Sequence, residues 1–282
     1  MVTRTEKLRS LCGTGFGLEI GPSHNPIFPK RDGFQVHNLD HVDAEKLRHK
    51  YRNADVDLSR IEDVDFVTSG RSITEVVPYR SFYDFIFASH VIEHVPDIIK
   101  FIRNCGDLLK PTGALVLAVP DKRYCFDLFR PISTAGHAIE AHSSGRNRPS
   151  KQMIFDEIFY AATRDGKIGW LPTNSGGDIG FFRPSIKMAD SFEGANASDD
   201  IDVHCWQFTP SSFRLMMLDL KLVGMIDFIV SSFQDSGGEF FVSMTSSGSI
   251  NDVDARLELA RSMMSEVASL AQIAAPPAQS SS

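Results

Sequence analysis

The chain has 282 residues, of which 42% are hydrophobic and 23% are charged. This ordinary globular composition excludes the disordered and fibrous classes of protein, and the length suits one large domain or two small ones. Its 29 basic and 36 acidic residues give a formal net charge of −7, and no cationic cluster dominates, so nucleic acid is not an expected partner.

The sequence also bears on the compartment. No apolar stretch approaches the roughly 20 residues that a membrane span needs, and the N-terminus lacks the apolar segment and cleavage site of a signal peptide. The four cysteines lie far apart without a C-x-x-C pair, which disfavours both a disulfide framework and a thiolate zinc site. We therefore expect reduced thiols and a cytoplasmic location.

The first half of the chain alternates short apolar runs with longer amphipathic stretches, which predicts βαβ units and a parallel sheet. Residues 83–88 are rich in aromatic and β-branched side chains, as is typical of a fully buried strand. Apolar residues at helical spacing follow over 98–109, up to Pro111 and Gly113, which favour a helix end. The predicted strands of this half are residues 16–20, 34–39, 64–67, 83–88 and 114–119.

The second half begins with a stretch of different composition. Residues from about 130 to 205 are rich in Gly, Ser, Asn and His, with one apolar helix candidate near 153–162. Because this stretch has too little apolar content for a core of its own, we predict an insertion over the sheet rather than a separate domain.

Regular structure is predicted again from Thr209, a capping residue followed by Pro210, which together open a helix over 213–220. Two strands follow at 222–231 and 239–245, and their short connection requires them to be antiparallel. The predicted divisions of the chain are a main domain over 1–250, an amphipathic helix over 251–274 and a disordered tail over 275–282.

The clearest functional pattern lies where the first strand ends. In Glu19-x-Gly21-x-Ser23, glycine removes the side chain that would block a ligand from the backbone, and serine is the next smallest choice. Asp40 lies 19 residues after Gly21, at the end of the second strand, where a carboxylate can accept hydrogen bonds from ribose hydroxyls. Because ligands of open parallel sheets bind at the carboxyl ends of strands, the pattern predicts a nucleoside-containing cofactor.

The spacing also distinguishes between cofactors. A dinucleotide site favours G-x-G-x-x-G, which leaves bare backbone facing a pyrophosphate, but Ser23 and Pro26 occupy the second and third glycine positions here. A cofactor with a nucleoside and no phosphate fits better. The cationic sulfonium and ammonium groups of S-adenosylmethionine suit Glu19 at the strand tip, so this is the predicted cofactor.

Four segments together resemble a known family, the class I S-adenosylmethionine-dependent methyltransferases. They are GLEIGPSHN, HNLDH, FYDFIFASHVIEHVPD and LLKPTGALVLAVPD. The resemblance covers about residues 15–125 by motif and extends to about 245 by strand pattern. It implies an α/β fold with a doubly wound, mostly parallel seven-stranded sheet in the order 3-2-1-4-5-7-6, a substrate-side insertion and a C-terminal helix.

The resemblance also implies how the cofactor is held. Glu19 and Gly21 would contact its methionine part, with Ser23 in the same loop in place of the family's second glycine. Asp40 would hold the ribose. Ser69, after the third strand, is the nearest match to the family's adenine-contacting position.

The tip of the fourth strand would line the methyl-transfer pocket with Ser89 and His90. A hydroxyl nucleophile needs a base whose pKa is near neutral, and His90 is the best-placed candidate, with Asp121 and His204 behind it. The predicted reaction is therefore methyl transfer from S-adenosylmethionine to a small molecule or a saccharide, at oxygen.

The same segment contains His90-Val91-Ile92-Glu93-His94, an H-x-x-E-H pattern that matches an inverted zinc-peptidase signature. On a helix, His90, Glu93 and His94 would share one face and could bind a divalent metal. The pattern directly follows a buried strand, which disfavours the peptidase interpretation. The favoured interpretation is that Glu93 and His94 cap and pack the start of a helix, so no metal is expected.

Three other functions remain as alternatives. An NAD-dependent sugar oxidoreductase is disfavoured because no tyrosine is followed by a lysine four residues later. The others are an H-x-x-E-H metallohydrolase and a non-catalytic scaffold with the same fold. The C-terminal helix could pair with a partner or with its own copy, although packing on the parent domain is favoured. Trp206 could stack on a substrate ring or close the core, and the sequence leaves both open.

Overall fold

The computed structural model describes residues 2–173, 177–183, 188–197, 201–246 and 253–275. Within these ranges the α-helices are α1 (Arg4–Cys12), α2 (Ala44–Tyr51), α3 (Ile73–Val76), α4 (Ile98–Leu108), α5 (Ala135–Ser143), α6 (Lys151–Tyr160), α7 (Met188–Ala197), α8 (Pro210–Leu222) and α9 (Val253–Ile273). The strands are β1 (Gly17–Ile20), β2 (Val36–Asp40), β3 (Phe66–Val67), β4 (Tyr83–Ser89), β5 (Leu109–Pro120), β6 (Ala162–Arg164), β7 (Ile179–Phe181), β8 (Ile229–Asp235) and β9 (Glu239–Thr245).

Seven of these strands form one sheet in the order β3-β2-β1-β4-β5-β9-β8. The central strand β1 pairs with β2 and β4, so that Gly17 lies opposite both Val36 and Phe85. Strands β1 to β5 are parallel, and β9 runs antiparallel to β5 and β8. Since β8 and β9 are the sixth and seventh strands of this sheet along the chain, the predicted fold and strand order are confirmed.

Apolar side chains cover both faces of the sheet, because successive residues of a strand point to opposite sides. Along β4, Phe85 and Phe87 pack with Leu8 of α1, whereas Ile86 packs with Ile102 of α4 on the opposite face. All five side chains are buried. Burial on both faces explains why residues 85–88 of β4 are all apolar instead of alternating with polar residues.

The strand predicted over 222–231 starts later than expected. Helix α8 continues to Leu222, the chain then turns at Gly224 with a φ of +72°, and β8 starts only at Ile229. Ile226 in this connection is buried. The apolar character that suggests a strand here is therefore explained by packing of the connection against the core.

The insertion contains more regular structure than the single helix predicted for it. Helix α6 corresponds to the predicted helix, and α5, α7 and the β6–β7 hairpin are additional. Ile154 and Ile158 of α6 form a small buried cluster with Met188 of α7 and with Val203. The small size of this cluster agrees with an insertion rather than a separate domain. The insertion and the predicted domain boundaries stay predictions.

The C-terminal helix α9 packs on α8. Arg256 Nε lies 2.6 Å from Asp219 Oδ1, and Glu266 accepts hydrogen bonds from the backbone N–H of Ser211 at 3.0 Å and from its hydroxyl at 2.8 Å. Ser211 lies in the first turn of α8, where N–H groups lack partners within the helix, so Glu266 acts as a cap from outside it. Residues 276–282 of the predicted tail lie outside the described residues.

A helix that crosses a membrane must be both long and apolar. In the described part of the chain, no helix is both long enough and apolar enough to cross a membrane.

Candidate active site

The carboxyl edge of the sheet carries unusual backbone conformations. Ser23, Ser69 and His90 follow β1, β3 and β4, and their φ angles are +48°, +44° and +52°. Non-glycine residues rarely adopt this left-handed region, and such residues concentrate at functional sites. Ser81 and Asp165 share the conformation elsewhere. Three predicted site residues therefore lie in strained turns at one edge of the sheet.

Gly21 forms the tight turn that follows β1. Its φ is +67°, and its N–H donates to the carbonyl of Leu39 at 2.8 Å. A Cβ at this position would lie 2.8 Å from Cγ2 of Val91, so a side chain would collide with the turn that follows β4. Glycine therefore lets the turns after β1 and β4 pack closely together, at the place where the resemblance predicts the methionine part of the cofactor.

Glu19 lies in β1, two residues before this turn, and is 2% exposed. Its Oε1 accepts a hydrogen bond from the N–H of Ile27 at 2.7 Å, and its Oε2 accepts one from Phe28 at 2.9 Å. Burial raises the pKa of Glu19 to about 7, although the two backbone N–H groups favour the charged form. Because both oxygens bind the loop that follows Gly21, the side chain is well placed to hold the shape of that loop.

Replacing Glu19 with glutamine is expected to remove a pH dependence of stability. A carboxyl whose pKa is raised from 4.5 to about 7 by folding stabilises the protein fully below pH 4.5, and this contribution is lost as the pH rises through 7. Between about pH 4.5 and pH 8, the parent should lose about 3 kcal/mol of unfolding free energy relative to the variant. Urea denaturation at a series of pH values measures this loss.

The matched control is Glu45→Gln, which makes the same change at an exposed position in α2. It should leave the pH dependence of the parent in place. If the parent and Glu19→Gln lost the same free energy of unfolding between about pH 4.5 and pH 8, the effect assigned to the buried carboxyl would be contradicted.

Asp40 ends β2 and is 4% exposed. Its Oδ2 accepts a hydrogen bond from the N–H of Ser23 at 3.2 Å, and its Oδ1 accepts one from the N–H of His41 at 2.7 Å. The N–H of Ser69 donates to the carbonyl of His41 at 3.2 Å, which brings the third turn alongside. His41 Nδ1 also lies 2.6 Å from Oδ1. Since each carboxylate oxygen can accept two hydrogen bonds, Asp40 keeps capacity for a ribose hydroxyl on Oδ2.

The position of His90 is fixed by residues that lie far apart in the sequence. Its Nε2 lies 2.9 Å from Glu239 Oε2, and Arg4 contacts the same carboxylate at 2.5 and 2.8 Å. Arg4 also donates to the hydroxyl of Ser89 at 2.9 Å. Burial would raise the pKa of Glu239, but the hydrogen bonds from Arg4 and His90 lower it to about 2. A carboxylate only accepts, so Nε2 carries the proton and Nδ1 offers its lone pair.

The two reserve candidates for the base are engaged elsewhere. Asp121 is fully buried, and its Oδ1 and Oδ2 accept hydrogen bonds from the guanidinium of Arg123 at 3.0 and 2.6 Å. His204 is 6% exposed, and its Nδ1 lies 2.6 Å from Asp127 Oδ2. His90, whose side chain is 46% exposed, is the candidate that an acceptor can reach.

Trp206 belongs to the core. Its side chain is 1% exposed, and its Nε1–H donates to the carbonyl of Val95 at 2.6 Å. Of the two interpretations that the sequence leaves open, the structure supports closure of the core, because a buried ring cannot stack on a substrate.

The H-x-x-E-H segment is not helical, so the expected capping role of Glu93 and His94 is wrong. Residues 92–94 form a turn, and α4 starts only at Ile98. Pro96 disfavours helical backbone in the residue before it, and Asp97 caps the helix by accepting from a backbone N–H at 2.9 Å.

The turn instead directs its side chains towards a residue of the distant insertion. Ligand-type atoms of Glu93, His94 and His204 all lie within 4.8 Å of one another, and His90 Nδ1 lies 3.7 Å from Glu93 Oε1. The sequence indicates the first two and His90 as neighbours. It does not indicate His204 as a member of the group, because that residue is brought in by the fold.

Comparison with known proteins identifies the family. The family model described as a methyltransferase domain matches residues 12–219, which is most of the chain. The chain belongs to this family. The predictions of a class I S-adenosylmethionine-dependent methyltransferase, and of S-adenosylmethionine as its cofactor, are confirmed.

Individual proteins similar to this methyltransferase match it over only part of the chain or at low sequence identity. A ubiquinone biosynthesis O-methyltransferase of Rhodopseudomonas palustris (strain TIE-1) is 31% identical over 126 residues, which are 42% of this chain and 42% of the relative. The chain thus spans about two fifths of the length of the curated relatives that it matches.

Solved structures give similarities at low identity. The DhpI–SAH complex is 15% identical, with a TM-score of 0.42, covering 85% of this chain and 80% of that chain. The CcbJ methyltransferase from Streptomyces caelestis is 12% identical, with a TM-score of 0.42, covering 84% of this chain and 91% of that chain.

Proposed function

We propose that this protein transfers the methyl group of S-adenosylmethionine to an oxygen atom of a small-molecule or saccharide acceptor. The observation that carries the proposal is the position of His90, which follows β4 beside the glycine turn of β1 and is held by Glu239. The name of the relatives from Rhodopseudomonas palustris, which are O-methyltransferases, supports oxygen as the acceptor atom.

The cofactor supplies a methyl group on a sulfonium, which is a good leaving group. The residues at the edge of the sheet would hold it. Gly21 would contact its methionine part, with Ser23 in the same loop, and Asp40 would accept hydrogen bonds from its ribose. Ser69 lies in the turn assigned to adenine. Glu19 would act through the loop that it binds.

The chain's contribution to the chemistry is alignment and proton removal. Fixing a nucleophile in line with the transferred group accelerates transfer by several powers of ten. His90 would accept the proton of the acceptor hydroxyl at Nδ1, because Glu239 holds the proton at Nε2. Ser89 lies at the same strand end and would line the pocket.

The family match favours this function over the NAD-dependent oxidoreductase and the metallohydrolase. A non-catalytic scaffold and a partner on α9 remain alternatives, since Leu257 and Met264 of that helix are 51% and 63% exposed. The cysteines at positions 12, 105, 125 and 205 are unpaired, which supports the predicted cytoplasmic location.

Replacing Gly21 with alanine is expected to weaken the binding of S-adenosylmethionine by about tenfold or more, because left-handed backbone disfavours alanine and its Cβ would push Val91 out of place. The double variant Gly21→Ala with Val91→Ala should recover part of the affinity. Calorimetric titration with S-adenosylmethionine, S-adenosylhomocysteine and NAD measures these changes.

The control for backbone strain is Gly33→Ala, whose φ is +88° and whose added Cβ would meet nothing within 4 Å. It should lose stability and keep cofactor affinity. Undiminished binding by Gly21→Ala, or tighter binding of NAD than of S-adenosylmethionine, would contradict the assigned site.

The acceptor class is tested by incubating the protein with S-adenosylmethionine and a panel of phenols, sugars and amines. Mass spectrometry would detect methylated product and S-adenosylhomocysteine in equal amounts. Transfer to amines alone would contradict the choice of oxygen. Cofactor binding without transfer to any acceptor would favour the scaffold.

A further inference from the structure

Glu93 is a buried carboxylate without a hydrogen bond. Its exposure is 0%, and neither Oε1 nor Oε2 has a hydrogen-bond partner among the described residues. Burying a charged carboxylate away from water is costly unless a cation or hydrogen-bond donors compensate for the lost hydration. A cation bound beside Glu93 would supply this compensation.

Three histidines face this carboxylate at distances too long for hydrogen bonds. His94 Nε2 and His204 Nε2 each lie 4.0 Å from Glu93 Oε1, and His90 Nδ1 lies 3.7 Å from the same atom. Two ligands that each lie about 2.0–2.2 Å from one metal ion stand about 3–4 Å apart. The spacing thus leaves room for a metal between the side chains.

Each histidine has a second carboxylate on its other ring nitrogen. His204 Nδ1 lies 2.6 Å from Asp127 Oδ2. His94 Nδ1 lies 2.9 Å from Asp202 Oδ1, at an angle that falls short of a regular hydrogen bond. In His90 the corresponding partner is Glu239. Since carboxylates only accept, these outer nitrogens carry protons, and the inner nitrogens face Glu93, where a bound metal ion would take the place of any proton.

We propose that Glu93, His94 and His204 bind a first-row divalent cation, with His90 at the rim of the site. Two imidazoles and one carboxylate suit Zn²⁺ better than the all-oxygen environment preferred by Mg²⁺. Three protein ligands leave a coordination position open, as in catalytic zinc sites. The outer carboxylates match the second layer of hydrogen bonds that orients metal-bound histidines.

The backbone holds the two halves of this site together. The carbonyl of Glu93 accepts hydrogen bonds from the N–H groups of Cys205 and Trp206 at 2.6 and 3.1 Å. Arg130 donates to the carbonyl of His204 and to Asp127 Oδ1, both at 2.7 Å. The ligands are therefore positioned by the fold before any metal binds, which favours affinity.

The site lies beside the proposed methyl-transfer pocket, because His90 borders both. A cation with an open position could fix the acceptor oxygen there, and this use of the metal rests on the proposed function. Metal binding itself does not depend on that function.

The experiment uses the full chain, freed of metal with a chelator and titrated calorimetrically with Zn²⁺, Mn²⁺ and Mg²⁺. We expect one equivalent of Zn²⁺ to bind, with affinity reduced about 100-fold or more in Glu93→Gln and His204→Gln, and about tenfold in Asp202→Asn. The control is His142→Gln, a histidine outside the cluster that is also paired with a carboxylate, Asp97, at 2.8 Å.

Stability gives a second readout that separates metal loss from misfolding. Without metal, Glu93→Gln should give the same circular dichroism spectrum as the parent, because glutamine has nearly the shape and volume of glutamate. Zn²⁺ should raise the melting temperature of the parent and leave that of Glu93→Gln unchanged. An equal rise in the melting temperatures of the parent and Glu93→Gln would count against the proposal.

Absence of stoichiometric binding, or equal loss of affinity in Glu93→Gln and His142→Gln, would overturn the metal site. Full methyl transfer by the chelated protein would overturn the use of the metal with the acceptor and leave the site standing. Failure of the zinc-loaded protein to bind S-adenosylmethionine would overturn the proposed function alone.

Discussion

Replacing His90 with asparagine is expected to lower the rate of methyl transfer by about 10²–10⁴-fold, because the reaction would lose its general base. Asparagine tolerates left-handed backbone better than most residues, so the turn after β4, where His90 has a φ of +52°, should keep its shape. The affinity for S-adenosylmethionine should stay within about threefold of the parent value. Steady-state kinetics with an acceptor from the panel, together with calorimetry, measures both quantities.

His24→Asn is the matched control, since His24 lies in the loop after β1 and packs against Tyr51 with ring centroids 4.7 Å apart. It should leave the maximal rate unchanged. If His90→Asn retained full turnover while binding the cofactor normally, His90 would not be the base. The hydrogen bond between Glu239 and His90 would then need another explanation.

Replacing Trp206 with alanine is expected to reduce the free energy of unfolding by about 3–5 kcal/mol, as is usual when a large buried ring is removed. The ring is 1% exposed, and its Nε1–H is bonded to the carbonyl of Val95. Trp206→Phe should lose less, about 1–3 kcal/mol, mainly because that carbonyl would lose its partner. Urea denaturation measures both changes.

Phe182→Ala provides the comparison, because that ring is 49% exposed and should change stability by less than about 0.5 kcal/mol. An alanine variant of Trp206 as stable as the parent, with weaker acceptor binding, would revive the interpretation in which the indole stacks on substrate.

The sheet could be predicted because its signal is local. Continuous apolar runs such as residues 85–88 mark strands that are buried on both faces, and the turns between them contain glycine and proline. The same dependence on local sequence explains why the start of the strand predicted over 222–231 is misplaced. Residues 222–231 include an apolar connection whose burial depends on helix α8, and the sequence pattern alone cannot separate this from a strand.

The candidate site could be predicted in part. Gly21 and Asp40 follow strands directly, so their places at the sheet edge follow from the strand assignment. The buried role of Glu19 could not be predicted, because it depends on the backbone of Ile27 and Phe28 folding back over the strand.

The remaining interactions join parts of the chain that the sequence does not connect. His204 reaches Glu93 through backbone hydrogen bonds between the insertion and the turn after β4. Arg4 and Glu239, which hold His90, are separated by 235 positions. No spacing rule covers such pairs, since tertiary packing alone brings them together.

The contact between Arg4 and Glu239 has a practical consequence for preparing the protein. A fusion partner or a deletion that displaces α1 would disturb a side chain that steadies His90. Rates measured with and without a fusion partner ahead of α1 should be compared before either is taken as the native value.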